Sequence, residues 1–173
     1  TNRENGITYT YLHQQISGIR IFNAVSTMAI RDGQVLYFAN RFYSQAAQKA
    51  NSAAPALEAA AAIKAAAAHL GLSLAETPIL LSEEGNRHRF IFSDGGISER
   101  PIRVELVYVP VENIFHLAWD VNISLRKSPD WWNVRIDAHT GAFLNKNNWN
   151  LSCDFGHNHK AGTSCKEIEA PTE

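Results

Sequence analysis

The stretch FHLAWDVNISLRKSPDWWNVRIDAHTGAFL, residues 115–144, has the clearest periodicity in the chain. Apolar residues occupy one parity of its first part, namely Phe115, Leu117, Trp119, Val121, Ile123 and Leu125. Because side chains alternate across a strand, this pattern predicts a long strand with one buried and one solvated face. After the turn residues 128–130, a second run places Trp132, Val134, Ile136 and Ala138 on one face. The stretch therefore predicts an antiparallel meander whose apolar face must be covered.

A helix that could cover this face is predicted by APALEAAAAIKAAAAHLG, Ala54 to Gly71. Alanine is the best helix former, Pro55 suits a first turn, and Gly71 suits a left-handed C-terminal cap. An apolar stripe at three- and four-residue spacing consists of Leu57, Ala60, Ile63, Ala67 and Leu70. We expect this helix to lie across the sheet.

The first forty residues predict a second meander. Alternating or β-rich runs cover Ile7–Gln14, Ile19–Arg31 and Gln34–Phe42, and Asp32-Gly33 is a strong two-residue hairpin signal. Between the helix and the opening stretch, residues 79–81, 88–93 and 102–108 predict further extended segments. The expected fold class is α+β, with antiparallel β meanders, an alanine-rich helix packed across the second sheet, and cystatin-like halves.

Composition and charge exclude several classes of protein. The chain has 173 residues, of which 45% are hydrophobic and 19% charged, as in globular proteins. Its formal net charge of -1 gives no general field for nucleic acid or an anionic membrane. No apolar run approaches the roughly 20 residues of a membrane-spanning helix. We therefore expect neither nucleic acid nor membrane as a partner.

The sequence contains no motif of a self-sufficient enzyme. HExxH, GxSxG and a phosphate-binding glycine loop are all absent. Trp119 and Trp132 have the inward parity of their strands, which predicts core positions. Trp131 has the opposite parity and is the candidate for an exposed contact residue. We expect no catalytic residue and no cofactor in this chain.

Residues with metal-binding or redox chemistry are concentrated in the C-terminal tail. Cys153, His157 and His159 are zinc-ligand types, but their spacing fits no standard zinc finger. Cys153 and Cys165 could instead form a disulfide bond. A linker with free thiols is the third alternative, and the residues alone leave all three open.

Two halves of the chain resemble parts of one known arrangement. Tyr11–Gln15, Gly18–Ala24 and Asp32–Val35 resemble the fungalysin/thermolysin propeptide module. The second half resembles the PepSY-type module that usually follows it, through three segments: 57–71, 117–121 and the WNVRIDAHTG string at 132–141. The resemblance covers about residues 7–150 and implies the N-terminal prodomain of a secreted fungalysin-like zinc metallopeptidase.

The resemblance implies the following organisation. Residues 1–52 would form the propeptide-like β meander, 53–148 the PepSY-like helix and sheet, and 149–173 a flexible linker toward a peptidase domain. The chain would assist folding of that domain in cis and inhibit it until proteolytic removal. Zinc is expected in the peptidase domain, and the precursor would be secreted.

Two other classes of function compete with this interpretation. A free-standing cystatin-like binding or inhibitor module of the cell envelope or extracellular space would have a similar fold. A domain that binds a small ligand would need a pocket between helix and sheet. The large inward residues Phe115, Trp119 and Trp132 argue that this space is filled.

Overall fold

A computed structural model describes residues 2–4, 6–84 and 88–150. Its strands are joined into one mixed sheet. In the described residues the strands are β1 (Asn2–Glu4), β2 (Ile7–Ile16), β3 (Ile19–Arg31), β4 (Gln34–Ala39), β5 (Leu80–Glu84), β6 (Arg89–Phe92), β7 (Ile102–Val111), β8 (Ile114–Ser124), β9 (Trp131–Asp137) and β10 (Phe143–Asn148). A short 3-10 helix spans Ala46–Lys49, and α1 spans Ala59–His69. The order β1-β2-β3-β7-β8-β9-β10 forms the main path of the sheet; β4 pairs with β3, β6 pairs with β7, and β5 pairs with β6.

The antiparallel meander predicted from residues 115–144 is confirmed as β8, β9 and β10. Its inward residues Leu117, Trp119 and Val121 are buried, and so are Val134 and Ile136 on β9. Trp132 is only partly buried, because it lies at the margin of this face with the Lys146 ammonium 4.9 Å from its ring. The outward face is not fully solvated as predicted, since Ala118, Arg135 and Asp137 are buried there.

The covering helix is shorter than predicted. The Ala56 and Leu57 N–H groups donate to the Ala138 carbonyl, at 2.9 and 2.7 Å, so this segment is bonded to the end of β9 rather than to a helical turn. Glu58 is extended and precedes the first helical residue. At the other end the prediction is confirmed: Gly71 has φ +70°, and the Leu72 N–H donates to the Ala67 carbonyl.

The buried face of α1 overlaps the predicted stripe only in part. Ile63 and Ala67 of the stripe are buried, together with Ala59, Ala62 and Ala66, whereas Ala60 and Leu70 are only partly buried. In a run of alanines the apolar pattern is nearly uniform around the helix, so the sheet decides which side is buried. Small side chains on that side leave room for Trp119 beneath them.

The N-terminal meander is formed by β2, β3 and β4. Asp32 and Gly33 both have positive φ, as a two-residue hairpin of this kind requires. The third strand ends at Ala39, not at Phe42 as predicted. The reason is local: the Asn40 side-chain oxygen accepts hydrogen bonds from the Phe42 N–H and the Ser26 hydroxyl, which turns the chain.

The two meanders are joined by a parallel pairing that the sequence did not indicate. Arg20 and Ile21 of β3 pair with Val107 and Tyr108 of β7. Ile19, Ile21 and Ala24 thereby belong to the same apolar core as α1 and β8. The fold is broadly α+β, as predicted, although it is mostly strand. Its cystatin-like character is not confirmed, and the division into domains at residues 52 and 53 stays a prediction.

Candidate binding surfaces

The outward face of β6 to β10 carries two cross-strand rows of mainly polar side chains. One row runs Ile91, Arg103, Asn122, Asn133 and Asn147; the other runs Arg89, Glu105, Asp120, Arg135 and Asn145. Residues directly opposite on neighbouring strands have Cβ atoms close enough to interact. The register therefore brings together charged and amide groups that are far apart in sequence.

Two carboxylates in the second row are each held by arginine. Glu105 accepts hydrogen bonds from Arg20 Nε and Nη2, at 3.0 and 2.7 Å, and from Arg89 Nε at 3.2 Å. Burial raises the pKa of Glu105, but the hydrogen bond and charge of Arg20 outweigh burial, so its pKa is below the ordinary value. The same hydrogen bond raises the pKa of Arg20.

The second ion pair lies deeper in the sheet. Asp120 Oδ1 is 3.3 Å from Arg135 Nε, and neither atom has a hydrogen-bond partner among the described residues. Burial raises the pKa of Asp120 and lowers that of Arg135, so burial outweighs their mutual attraction. The Phe22 ring, 3.9 Å from the Arg135 guanidinium carbon, covers this pair from β3.

The first row is tied together by amide groups. Asn122 donates to Asn133, and the Asn133 amide donates to Asp120 Oδ2 at 3.1 Å. Two indoles complete the network: Trp131 Nε1 donates to Asn122 Oδ1 at 2.6 Å, and Trp149 Nε1 donates to Asn133 Oδ1 at 2.8 Å. These groups fix one arrangement of the polar face.

An open groove of about 400 Å³ lies over this face. Its floor contains Glu105, Asp120, Asn122 and Asn133, and its walls contain Ile91, Arg20, Arg103, Arg100, Pro101 and Trp131. We call it the arginine groove. Arg100 stacks on Trp131, with its guanidinium carbon 5.5 Å from the ring centroid. In the described part of the chain neither Arg100 nor Arg103 has an acidic partner.

The structure places one of the predicted site residues. Trp131, the candidate exposed contact, is 39% exposed and forms a wall of the arginine groove. Cys153, Cys165, His157 and His159 lie outside the described residues, so both the disulfide and the metal site stay predictions. Within residues 6–84 and 88–150, no three His, Cys, Asp or Glu side chains are grouped as metal ligands.

A second surface is the free edge of β4. Val35, Leu36, Tyr37 and Phe38 are between 48% and 61% exposed, although all four are large and apolar. β4 pairs with β3 on one side, and no strand of the described chain pairs with its other side. We call these four residues the apolar edge. Four consecutive apolar residues occur equally in buried strands, so the sequence did not reveal their exposure.

No helix in the described residues has the length and apolar character to span a membrane.

Comparisons with known proteins give a distant likeness to a solved structure. No protein-family model and no curated protein sequence matches the chain. Among solved structures, the chain is similar to the C-terminal domain of YpeB from Bacillus megaterium, a PepSY-like domain, with 12% sequence identity and a TM-score of 0.43. The match covers 87% of this chain and 54% of that one, so the chain spans about half the length of this neighbour. A likeness this weak assigns neither family nor function, and the link to fungalysin propeptides and zinc peptidases stays a prediction.

Proposed function

We propose that this chain is the prodomain of a secreted zinc metallopeptidase. It binds the peptidase domain in cis, assists its folding and holds it inactive until proteolytic removal. The observation that carries the proposal is the apolar edge, a surface suited to binding another protein. The propeptide-like segments 11–35 and the PepSY-like segments 57–141 name the class of partner.

The apolar edge has two properties of a protein-binding site. First, no strand of the described residues pairs with its backbone N–H and C=O groups on the outer side, so a partner can add a strand there. Second, β4 has large apolar side chains on both faces: Val35 and Phe38, opposite Ile30 and Met28, share one face, and Tyr37, opposite Ala29, lies on the other, because a bulge at Leu36 shifts the register. Large exposed apolar side chains that adjoin each other mark interaction sites. A partner that covers the edge would gain main-chain hydrogen bonds and apolar burial together.

The proposal assigns the chemistry to the partner. This chain supplies no catalytic residue and no metal ligand in the proposal, and zinc is held by the peptidase domain. A zinc endopeptidase that is active during secretion would cut neighbouring proteins, so a module bound across its cleft protects the secreting cell. Because the bound module stabilises only the folded peptidase, it also shifts that domain toward its native state.

The proposal is tested by adding the chain to the separately produced peptidase domain of the same precursor. We expect inhibition of proteolysis, a complex on size-exclusion chromatography, and a higher yield when the peptidase is refolded with the chain. Leu36→Ser with Phe38→Ser should weaken all three. Absence of inhibition and of a complex with the unaltered chain would contradict the proposal.

A matched control is available on another strand edge. Ile79, Leu80 and Leu81 are also exposed, at the start of β5, which pairs only with β6 within the described residues. Ile79→Ser with Leu81→Ser removes a similar amount of apolar surface away from β4, and we expect unchanged inhibition. If the Ile79→Ser, Leu81→Ser variant inhibits the peptidase less than the Leu36→Ser, Phe38→Ser variant does, β5 and not β4 is the contact edge.

The alternative is a free-standing binding or inhibitor module that acts in trans. The exposed apolar edge would serve such a module equally well. The reading frame of the gene separates the two: a continuation past Glu173 into an HExxH motif excludes the free-standing form, and a stop codon after Glu173 excludes a cis partner.

A further inference from the structure

Some of the charged side chains that line the arginine groove are not part of an ion pair within the described chain. Arg20 is engaged by Glu105, and Asp120 faces Arg135. Arg100 and Arg103 are left at the walls of the groove without an acidic partner in the described chain. The whole chain has a formal net charge of -1, so attraction for an anion here must be local.

The positions of Arg100 and Arg103 restrict the kind of anion that the groove can bind. Arg103 lies on β7, and Trp131, on which Arg100 stacks, lies on β9. These backbone positions are two strand spacings apart and offset by two residues, because Arg103 is opposite Asn122 and Trp131 is opposite Ser124, which gives roughly 12 Å. Side chains two and four residues apart on one face of an extended peptide are about 7 and 13 Å apart. Two carboxylates carried by one extended segment therefore match the pair better than a single compact oxyanion does.

The remaining walls suit a peptide as well. Arginine presents a planar fork that binds a carboxylate through two hydrogen bonds. Trp131 and Pro101 offer apolar contact to the aliphatic part of glutamate side chains, and the groove volume of about 400 Å³ accommodates a few residues. Trp131 is held in place by its hydrogen bond to Asn122, so this wall is preorganised.

We infer that the arginine groove binds an extended acidic segment of the partner protein, through carboxylates on Arg100 and Arg103. Naming the peptidase domain as the source of that segment rests on the proposed function. The groove then gives the prodomain a second contact, on a different strand set from the apolar edge. Exposed charge pairs of this kind act mainly on association rate and partner choice.

The groove is tested with fluorescently labelled hexaglutamate and the complete chain at low ionic strength. We expect saturable binding that weakens as salt is added, and no binding of hexaglutamine. Arg100→Gln with Arg103→Gln should weaken binding about tenfold or more, because two charge-assisted hydrogen-bonding groups are lost. Arg100→Glu with Arg103→Glu should abolish hexaglutamate binding and allow hexalysine to bind. Circular dichroism checks that each variant is folded.

A charge-matched control comes from the N-terminal hairpin. Arg31 and Arg41 are exposed and lie outside the groove. Arg31→Gln with Arg41→Gln removes the same charge, and we expect hexaglutamate affinity within about twofold of the unaltered chain. Equal weakening in both double variants would overturn the inference, since general electrostatics would then explain the binding.

Other anions and the peptidase itself complete the test. If inorganic phosphate or an oligogalacturonate displaces hexaglutamate at lower concentration than unlabelled hexaglutamate does, the groove is not a site for acidic peptide and the inference fails. If the chain inhibits the peptidase domain but the Arg100→Gln, Arg103→Gln variant associates equally fast, the peptidase is not the source of the segment. If hexaglutamate binds in the groove but the chain neither inhibits nor binds the peptidase, the proposed function fails and the acidic-peptide site stands.

Discussion

The two faces of β7, β8 and β9 are both buried to a large extent, but by different means. On one face, Leu117, Trp119 and Val121 pack against the alanines of α1, and the Trp119 indole donates to the Leu57 carbonyl at 2.7 Å. On the other face, no helix of the described chain covers the strands. There the ion pair of Asp120 and Arg135 and the amide network around Asn133 lie within the sheet surface itself.

This difference decides how each face responds to substitution. Apolar packing has no preferred direction, so its loss depends on the volume removed. A buried polar network depends on every partner, because removal of one group leaves another without its hydrogen bond or counter-charge. The apolar face should therefore tolerate changes that conserve volume, and the polar face should tolerate only changes made in matched pairs.

The largest effect is expected on the apolar face. Trp119→Ala removes a buried indole, its hydrogen bond to Leu57 and its edge-to-face contact with Phe90. We expect a loss of about 4 kcal/mol in the free energy of unfolding, measured by urea denaturation. Trp119→Phe should lose clearly less, because most of the volume is kept. Equal losses for the two variants would contradict a packing role.

The second largest loss of stability is expected on the polar face. Arg135→Met leaves the Asp120 carboxylate buried without its counter-charge, and we expect a loss of about 3 kcal/mol. Adding Asp120→Leu should restore much of this stability, since the double variant has no unpaired charge. If the stability losses of the single variants Arg135→Met and Asp120→Leu simply add in the double variant, Asp120 and Arg135 are not coupled in the way their 3.3 Å separation indicates.

The two faces should also differ in how their contribution to the free energy of unfolding depends on pH. Burial raises the pKa of Asp137, but hydrogen bonds from the Thr140 and His139 N–H groups and from His116 outweigh burial and hold its pKa below the ordinary value. Its contribution is therefore complete above the unfolded pKa of about 3.9 and is lost as the pH falls through the lower folded pKa.

We expect Asp137→Asn to cost about 1 kcal/mol near neutral pH and to approach the unaltered chain in acid. Ile63→Val, on the apolar face, serves as control because its cost should be the same at every pH. A constant difference between Asp137→Asn and the unaltered chain down to strongly acidic pH would show that the charge of Asp137 is not what stabilises the fold.

The smallest effect is expected at Trp131. Trp131→Ala loses one hydrogen bond to Asn122 and the stacking of Arg100, both at an exposed position. We expect a change of about 0.5 kcal/mol in the free energy of unfolding, together with weaker hexaglutamate binding. A stability loss close to that of Trp119→Ala would make Trp131 a core residue rather than a contact residue.

Much of the secondary structure could be predicted because local patterns fix it. The alternation from Phe115 to Leu125 specifies a strand and its inward face, and Asp32-Gly33 specifies a hairpin. The end of the helix at Gly71 follows from a positive φ that glycine adopts readily. Its beginning could not be predicted, because Ala56 and Leu57 have high helix propensity and are kept out of the helix by their hydrogen bonds to the Ala138 carbonyl.

Most residues of the candidate surfaces could not be recognised from the sequence. Arg103, Asn122 and Asn133 look like ordinary solvent-facing strand residues until the register aligns them across three strands. Val35 to Phe38 look like core residues until β4 proves to be an edge. The exposure of Trp131 could be predicted because its parity opposite to that of Trp132 is visible in sequence, whereas its neighbours Arg100 and Arg103 in the groove come from a separate segment.

The sequence by itself determined the meander of residues 115–144, since a period-two pattern leaves a strand only one way to bury its apolar side chains. It also determined that an alanine-rich helix must accompany that meander. Only the tertiary structure decided which face of α1 is buried, that β3 runs parallel to β7, and that Arg100 and Arg103 line the same groove as Trp131. The physical reason is that these features depend on pairing between distant segments, whose register no local pattern encodes.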